Sequence, residues 1–461
     1  MPTIAPTSVL ADTLRSRRQR LAEAIEFPVV LWAGQSSSRN FPANTYPFRA
    51  SSHFLYFAGI PLEGAAIRLE GGKLHLFLDE DTPASALWHG PSPTRAEIAV
   101  RIGADQASPM ADLKNWTREA GTITASDFAT RSQQARLLGR SVVSADQLHQ
   151  DRELARAIVA LRSIHDTEAL AEIRQAITVS ISAHKAGMAA TPSAKTEAEV
   201  RAAMESVMLA HNLTCAYSSI VTVHGEVLHN NHYHHAIASG DLLLADVGAE
   251  TASGWAADIT RTWAVSGHFS PTQRAIYGVV LAAHDRAIAA LQPGVEYRDI
   301  HLLAARTITE GLVDLGILRG QPEDLVDCDA HALFFPHGVG HLLGLDVHDM
   351  EDLGDLAGYA EGRSRSDRFG LGYLRLDRPL QTGMVVTIEP GFYQVPAILD
   401  DRERREKYRE MVNWERLAEF ADVRGIRIED DVLITPTGSE VLTAELATAI
   451  EAIEALTQAS A

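Results

Sequence analysis

The chain has 461 residues, 46% hydrophobic and 22% charged, the make-up of an ordinary folded protein rather than a disordered or fibrous one. A formal charge of −19 at pH 7 argues against a nucleic-acid partner, because phosphate backbones are bound through basic patches. Two cysteines, Cys215 and Cys328, build no disulfide framework; no apolar run reaches a membrane span and no secretory core opens the chain, so no membrane partner and a cytoplasmic location are expected.

Two domains are expected at this length. In residues 1–160 the stretch "SVLADTLRSRRQRLAEAIE" has the spacing of an amphipathic helix, while "FPVVLWAG", "GAAIRLEGGKLHLFLDED" and "SVVSAD" read as strands, giving a smaller α/β N-terminal domain. A long helical region, "DRELARAIVALRSIHDTEALAEIRQAITVSISAHKAGMAA", breaks near His165, where Asp166 or Thr167 can cap a new helix. Residues 161–461 read as α+β. Helix "TEAEVRAAMESVMLAHN" leads to strands "SSIVTVHG", "DLLLADVGAE" and "GWAADITRTWAV". Ser270-Pro271 then starts a helix, with serine as cap and proline in the first turn, and "DIHLLAARTITEGLVDLG" makes the next. Strands "MVVTIEPGFY" and "RGIRIEDDVLIT" and a closing helix "TAELATAIEAIEALTQ" complete it.

Chemistry concentrates on the acidic residues of these strands. Asp246 and Asp258 lie almost symmetrically about the turn-forming "TASG", so the hairpin sets them opposite each other within a residue of register. Two facing carboxylates repel, and a divalent cation between them removes the conflict; the alternative is that one caps the turn and the other meets solvent. Glu389 ends an apolar strand, a costly place for a carboxylate, and Glu429 shares a strand face with Arg427, so each can also be half of a buried ion pair. The stretch "FFPHGVGHLLGLDVHD" adds His337, His341 and His348. Its four-residue step suggests a zinc-binding helix, but Gly338 and Gly340 between the first two histidines and the missing glutamate argue against one. Four carboxylates with one histidine suit two hard ions that hold a water, lower its pKa and polarise a carbonyl: Mn²⁺ first, Co²⁺ or Zn²⁺ next. Hydrolysis is the expected chemistry.

Together, "LHN", "DVGAE…AADITRTW", "PHGVGHLLGLDVHD", "TIEPGFY" and "GIRIEDD" resemble the proline-specific metallopeptidases of the pita-bread fold (creatinase/aminopeptidase-like), prolidase and aminopeptidase P. "YPFRASSHFLYFAG" and "LFLDEDTPASALWHG" are similar to the amino-terminal domain of these enzymes. The resemblance implies two divalent ions held by Asp246, Asp258, His341, Glu389 and Glu429, with Asp258 and Glu429 shared between them. It implies Glu389 as general base, and His229 and His348 as histidines that position the scissile carbonyl and serve the leaving proline nitrogen. It also implies His337 as a supporting residue, Tyr393 near the site and Arg427 as the residue that orients Glu429. His348 can instead be structural, Tyr393 a core aromatic, and His232, His234 and His235 a solvated loop. The two aspartates stand twelve positions apart, one more than in the family pattern, an extra residue that a longer turn or a bulge would absorb.

The substrate implied is a proline-containing di- or oligopeptide. The insertion "PAILDDRERREKYREMVNWERLAEFADV", and Arg375 as a clamp for a free carboxylate, favour a prolidase acting on Xaa-Pro dipeptides. Arg375 can also form a surface salt bridge. Prolidase is the main expectation; "TYPFRASSHFLYFAG" points to the alternative, aminopeptidase P acting on longer peptides, and Trp88 can reach the site of a neighbouring subunit in a homodimer or homotetramer. A non-catalytic pita-bread binding module would have lost ligands that are present here, and a methionine aminopeptidase usually lacks such an N-terminal domain. Side activity on phosphotriesters stays open.

Overall fold

The computed structural model describes residues 7–143 and 148–458. The chain divides into two compact units: one runs to Arg162 and includes Ala252–Gly254, and the other comprises Ser163–Thr251 and the residues from Trp255 onward.

The first unit is built on a four-stranded sheet. Val29–Trp32 pairs antiparallel with Ala66–Glu70, which pairs antiparallel with Lys73–Phe77; Gln106–Ser108 joins the last in parallel. Val29–Trp32 is buried throughout, as an apolar run without polar alternation requires. The N-terminal helix spans Thr7–Ala24. The strand expected at "SVVSAD" is not formed at residues 141–143, and its remainder lies outside the described residues.

The second unit repeats one plan. Helix Thr167–Ala190 packs on Glu197–Ala210 beside a sheet of Ile220–Thr222, Leu242–Asp246 and Thr260–Ala264; helix Pro271–Ala289 packs on Tyr297–Asp314 beside a sheet of Val385–Ile388, Asp430–Thr435 and Gly438–Val441. Two of these helices start where side-chain caps dictate. Asp166 accepts from the Ala169 amide at 2.9 Å, and Ser270 forms a capping box with Gln273 ahead of Pro271. Among the described residues no helix is long and apolar enough to cross a membrane.

Three expectations need correction. The closing helix starts at Ile450, not Thr443, because the Leu446 and Ala447 carbonyls accept from the buried Arg261 guanidinium at 2.8 and 3.0 Å and are not free for helical bonds. "MVVTIEPGFY" is two strands, Val385–Ile388 and Gly391–Tyr393, since Pro390 has no amide to give a ladder. "RGIRIEDDVLIT" likewise breaks into Gly425–Arg427 and Asp430–Thr435. The pieces then take different partners: Gly391–Tyr393 pairs with Gly425–Arg427, and Val385–Ile388 with Asp430–Thr435. Glu389 and Glu429 sit at the two switch points. An isolated bridge from Thr260 to Glu429 ties this region to the sheet that carries the aspartates.

Candidate active site

Asp246 closes the strand Leu242–Asp246, and Asp258 lies two residues ahead of Thr260. Asp246 pairs with Thr260, so the aspartates are diagonal neighbours rather than directly opposed. The ladder runs on without a shift to Thr251, whose amide donates to the Trp255 carbonyl at 2.9 Å, and this sets its centre one residue beyond the symmetry point expected from "TASG". In the other sheet Ile388 pairs with Asp430, and the next residues outward are Glu389 and Glu429.

His341 arrives on a glycine loop. Gly340 holds φ at 155°, and a Cβ there would stand 2.1 Å from the Thr387 carbonyl oxygen. Only glycine lets the loop lie this close to the strand, where the Thr387 amide donates to the His341 carbonyl at 3.0 Å. The His341 Nδ1 sits 3.0 Å from the Leu342 carbonyl, so Nδ1 carries the proton and Nε2 keeps a free lone pair. That Nε2 lies 3.4 Å from Asp258 Oδ2 and 3.8 Å from Glu389 Oε1. Ligand atoms of Asp258, His341 and Glu429, all buried, fall within 4.8 Å of one another.

The group is short of positive charge. Burial and the Asp246 charge push Asp258 up to about 8. Burial, opposed by His341 and Arg427, raises Glu389 to about 7. Burial and Asp258 raise Glu429 well above the carboxylate range. Buried carboxylates resist ionising together unless cations join them. This oxygen-rich set with one bare imidazole nitrogen therefore fits divalent ions, and differs from the thiolate and imidazole cage of structural zinc.

Several supporting groups escaped sequence reasoning. The buried Tyr217 hydroxyl lies 2.6 Å from Asp246 Oδ1 and 2.5 Å from Asp258 Oδ1, and burial with the Asp246 and Asp258 charges raises its pKa so far that it stays a donor. Thr260 Oγ1 donates to Glu429 Oε2 at 2.6 Å. Asp431 Oδ2 accepts from the Asp258 amide at 3.1 Å. No motif marks Tyr217; strand alternation marks Thr260, two residues from Asp258 on the same face. Tyr217→Phe is expected to lower metal affinity or activity about 10–100-fold with the circular dichroism spectrum unchanged, as measured by Mn²⁺ titration.

Arg427 holds a second carboxylate besides the one expected. Its Nη2 binds Asp246 Oδ2 at 2.6 Å, and its Nε donates to Thr260 Oγ1 at 3.0 Å. Its hydrogen-bonded path to Glu429 runs through Thr260, and its charge also directly opposes the burial that raises the Glu429 pKa. Its Nη1 donates to the Tyr393 hydroxyl at 3.1 Å, which lies 2.9 Å from His337 Nε2. Tyr393 is fully buried and stands behind His337.

All five expected ligands line a cavity of about 380 Å³ together with His229, His337, His348, Tyr373 and Arg375. Burial and Arg427 lower His337 to about 3; burial lowers His348, with His341 adding to it, and lowers His229, with Arg427 adding to it. These imidazoles favour the neutral form. His348 Nδ1 lies 3.3 Å from Glu351 Oε2, and Arg375 Nη1 donates to Glu351 Oε1 at 2.5 Å. Burial would raise Glu351, yet His348 and Arg375 hold it at about 2. The salt-bridge alternative for Arg375 is thus realised, which weakens its reading as a free carboxylate clamp. His232, His234 and His235 do not line the cavity; His235 Nδ1 instead sits 2.8 Å from Glu197 Oε2.

Residues 171–436 match the description "Metallopeptidase family M24", and residues 14–125 match "Aminopeptidase P, N-terminal domain". A probable Xaa-Pro aminopeptidase of Tuber melanosporum is 32% identical over 403 residues, 86% of this chain and 84% of that one. A probable Xaa-Pro aminopeptidase of Paracoccidioides lutzii is 31% identical over 455 residues, 95% and 94%. Among solved structures, Pseudomonas aeruginosa aminopeptidase PepP superimposes with a TM-score of 0.80 at 28% identity over 99% of both chains. A variant of Escherichia coli aminopeptidase P in complex with substrate gives 0.79 at 27% identity over 98% of both. The pita-bread fold with its N-terminal domain is therefore the fold of this chain.

Proposed function

We propose, from the premise that the chain belongs to metallopeptidase family M24, that it is an Xaa-Pro aminopeptidase, which removes the residue before proline from peptides that continue beyond it. The observation that carries this reading is the convergence of four carboxylates and the bare His341 Nε2 on one cavity wall. The names of the relatives and of the structural neighbours support the aminopeptidase over the dipeptidase. Arg375, on which the dipeptidase expectation leaned, already has Glu351 as its anion.

In this reading Asp246, Asp258, His341, Glu389 and Glu429 hold two divalent ions, Mn²⁺ first. When bound, the ions supply an acidified water and a polarised carbonyl. Glu389, on the cavity wall, takes the proton of the attacking water. His348, whose Nδ1 faces Glu351, presents Nε2 toward the carbonyl before proline. The proton taken by Glu389 is passed to the leaving proline nitrogen, which carries none of its own and cannot depart as an anion, with His229 as the relay. Tyr217, Thr260 and Arg427 keep the carboxylates in place, and His337 and Tyr393 back the wall behind them. A homodimer or homotetramer is part of the proposal, supported by Trp88, which stands 80% exposed.

Full-length protein reconstituted with Mn²⁺ is expected to release the first residue from Xaa-Pro-Xaa peptides, followed by amine detection. Turnover confined to Xaa-Pro dipeptides would return the chain to the prolidase reading.

A further inference from the structure

The segment 371–375 borders the cavity and has a use beyond the roles above. Its backbone is held from several sides. Leu374 is 1% exposed, and its carbonyl accepts from the Tyr359 hydroxyl at 2.6 Å and from Arg365 Nη1 at 3.2 Å. The Leu374 amide donates to the Leu371 carbonyl at 3.1 Å. Gly338 lets the segment lie directly against the histidine loop, since a Cβ there would stand 3.1 Å from Leu374 Cα and 3.2 Å from the Tyr373 carbonyl oxygen.

On this pinned backbone the Tyr373 side chain does the opposite. It is 68% exposed, it lines the cavity, and its hydroxyl makes no hydrogen bond among the described residues. An aromatic ring that is fixed at its base and left open at its face is preorganised for a ligand, because covering it removes apolar area from water at little cost in entropy. Leu228 and Ile398 line the same cavity and give it an apolar side. The cationic neighbours Arg365 and Arg375 are already matched by Asp355 at 2.8 Å and Glu351 at 2.5 Å, so the lip does not select for charge.

We propose that Tyr373 sets specificity for the residue that follows proline, favouring an apolar or aromatic side chain that covers its ring. This rests on the aminopeptidase reading, because a dipeptide has no such residue. The test compares Gly-Pro-Phe with Gly-Pro-Gly as substrates of the Mn²⁺-loaded enzyme, and Pro-Phe with Pro-Gly as competitive inhibitors, which reads binding without turnover. Wild type is expected to prefer phenylalanine about tenfold, mainly through KM. Tyr373→Ala should erase most of that ratio in both assays, and Tyr373→Phe should keep it. An unchanged ratio in Tyr373→Ala, with both tripeptides cleaved, overturns the role of Tyr373 alone. Cleavage of Gly-Pro but of neither tripeptide by wild type overturns the aminopeptidase reading, and this inference with it.

Discussion

Glu429→Gln is expected to abolish peptidase activity while making the metal-free chain more stable. The carboxamide keeps the shape and the bond from Thr260 Oγ1, now 2.6 Å from Glu429 Oε2, but removes a negative charge that bound cations need. Metal assistance contributes several kcal/mol to such a hydrolysis, so a loss of about 10³-fold or more is expected, with metal content falling in parallel by elemental analysis. Without metal the same charge is a liability, since burial and Asp258 raise the pKa of Glu429 well above the carboxylate range. The metal-free variant should therefore melt above metal-free wild type at pH 8. Full turnover with full metal content in Glu429→Gln would remove Glu429 from the ligand set.

The second large effect is a link between pH, metal and stability. In the metal-free chain Asp258 is pushed up to about 8 and Glu389 to about 7, in both cases mainly by burial, against about 4 when unfolded. The folded state thus binds these protons more tightly than the unfolded state. The stability they contribute is complete below pH 4 and is lost as pH rises toward 8. Bound ions need the same carboxylates ionised, so metal affinity rises with pH. The melting-temperature gap between Mn²⁺-loaded and chelator-treated protein is expected to widen steadily from pH 5 to pH 8 at constant ionic strength. A constant gap would mean that these carboxylates are not the metal-linked groups.

The buried acids were visible in the sequence because they contradict their surroundings. Glu389 at the end of "MVVTI", Glu429 after "GIRI" and two aspartates flanking a turn are polar groups in apolar strands, and such violations mark function more often than structure. Periodicity likewise located the helix pairs, and the Asp166 and Ser270 starts follow from cap chemistry that involves only three neighbouring residues. The glycines around His341 announced an irregular loop.

What local sequence could not contain are choices that depend on distant partners. Whether Asp246 faces Asp258 or Thr260 was decided by where the hairpin closes, and the strand break at Glu429 by which strand pairs with which, whereas the break at Glu389 follows locally from Pro390. Arg427 shares a strand pattern with Glu429, yet in the fold it binds Asp246 directly, across 181 positions of chain. Arg375 has the sequence context of a substrate clamp, yet Glu351 stands beside it, and no local pattern marks Tyr217, whose hydroxyl lies between two carboxylates. The residues that must be acidic, basic or bare were determined by the sequence itself, because burial of a polar group is costly wherever it occurs. Which of them meet was decided by tertiary structure, because hydrogen bonds and ion pairs form only between groups that folding brings within about 3 Å.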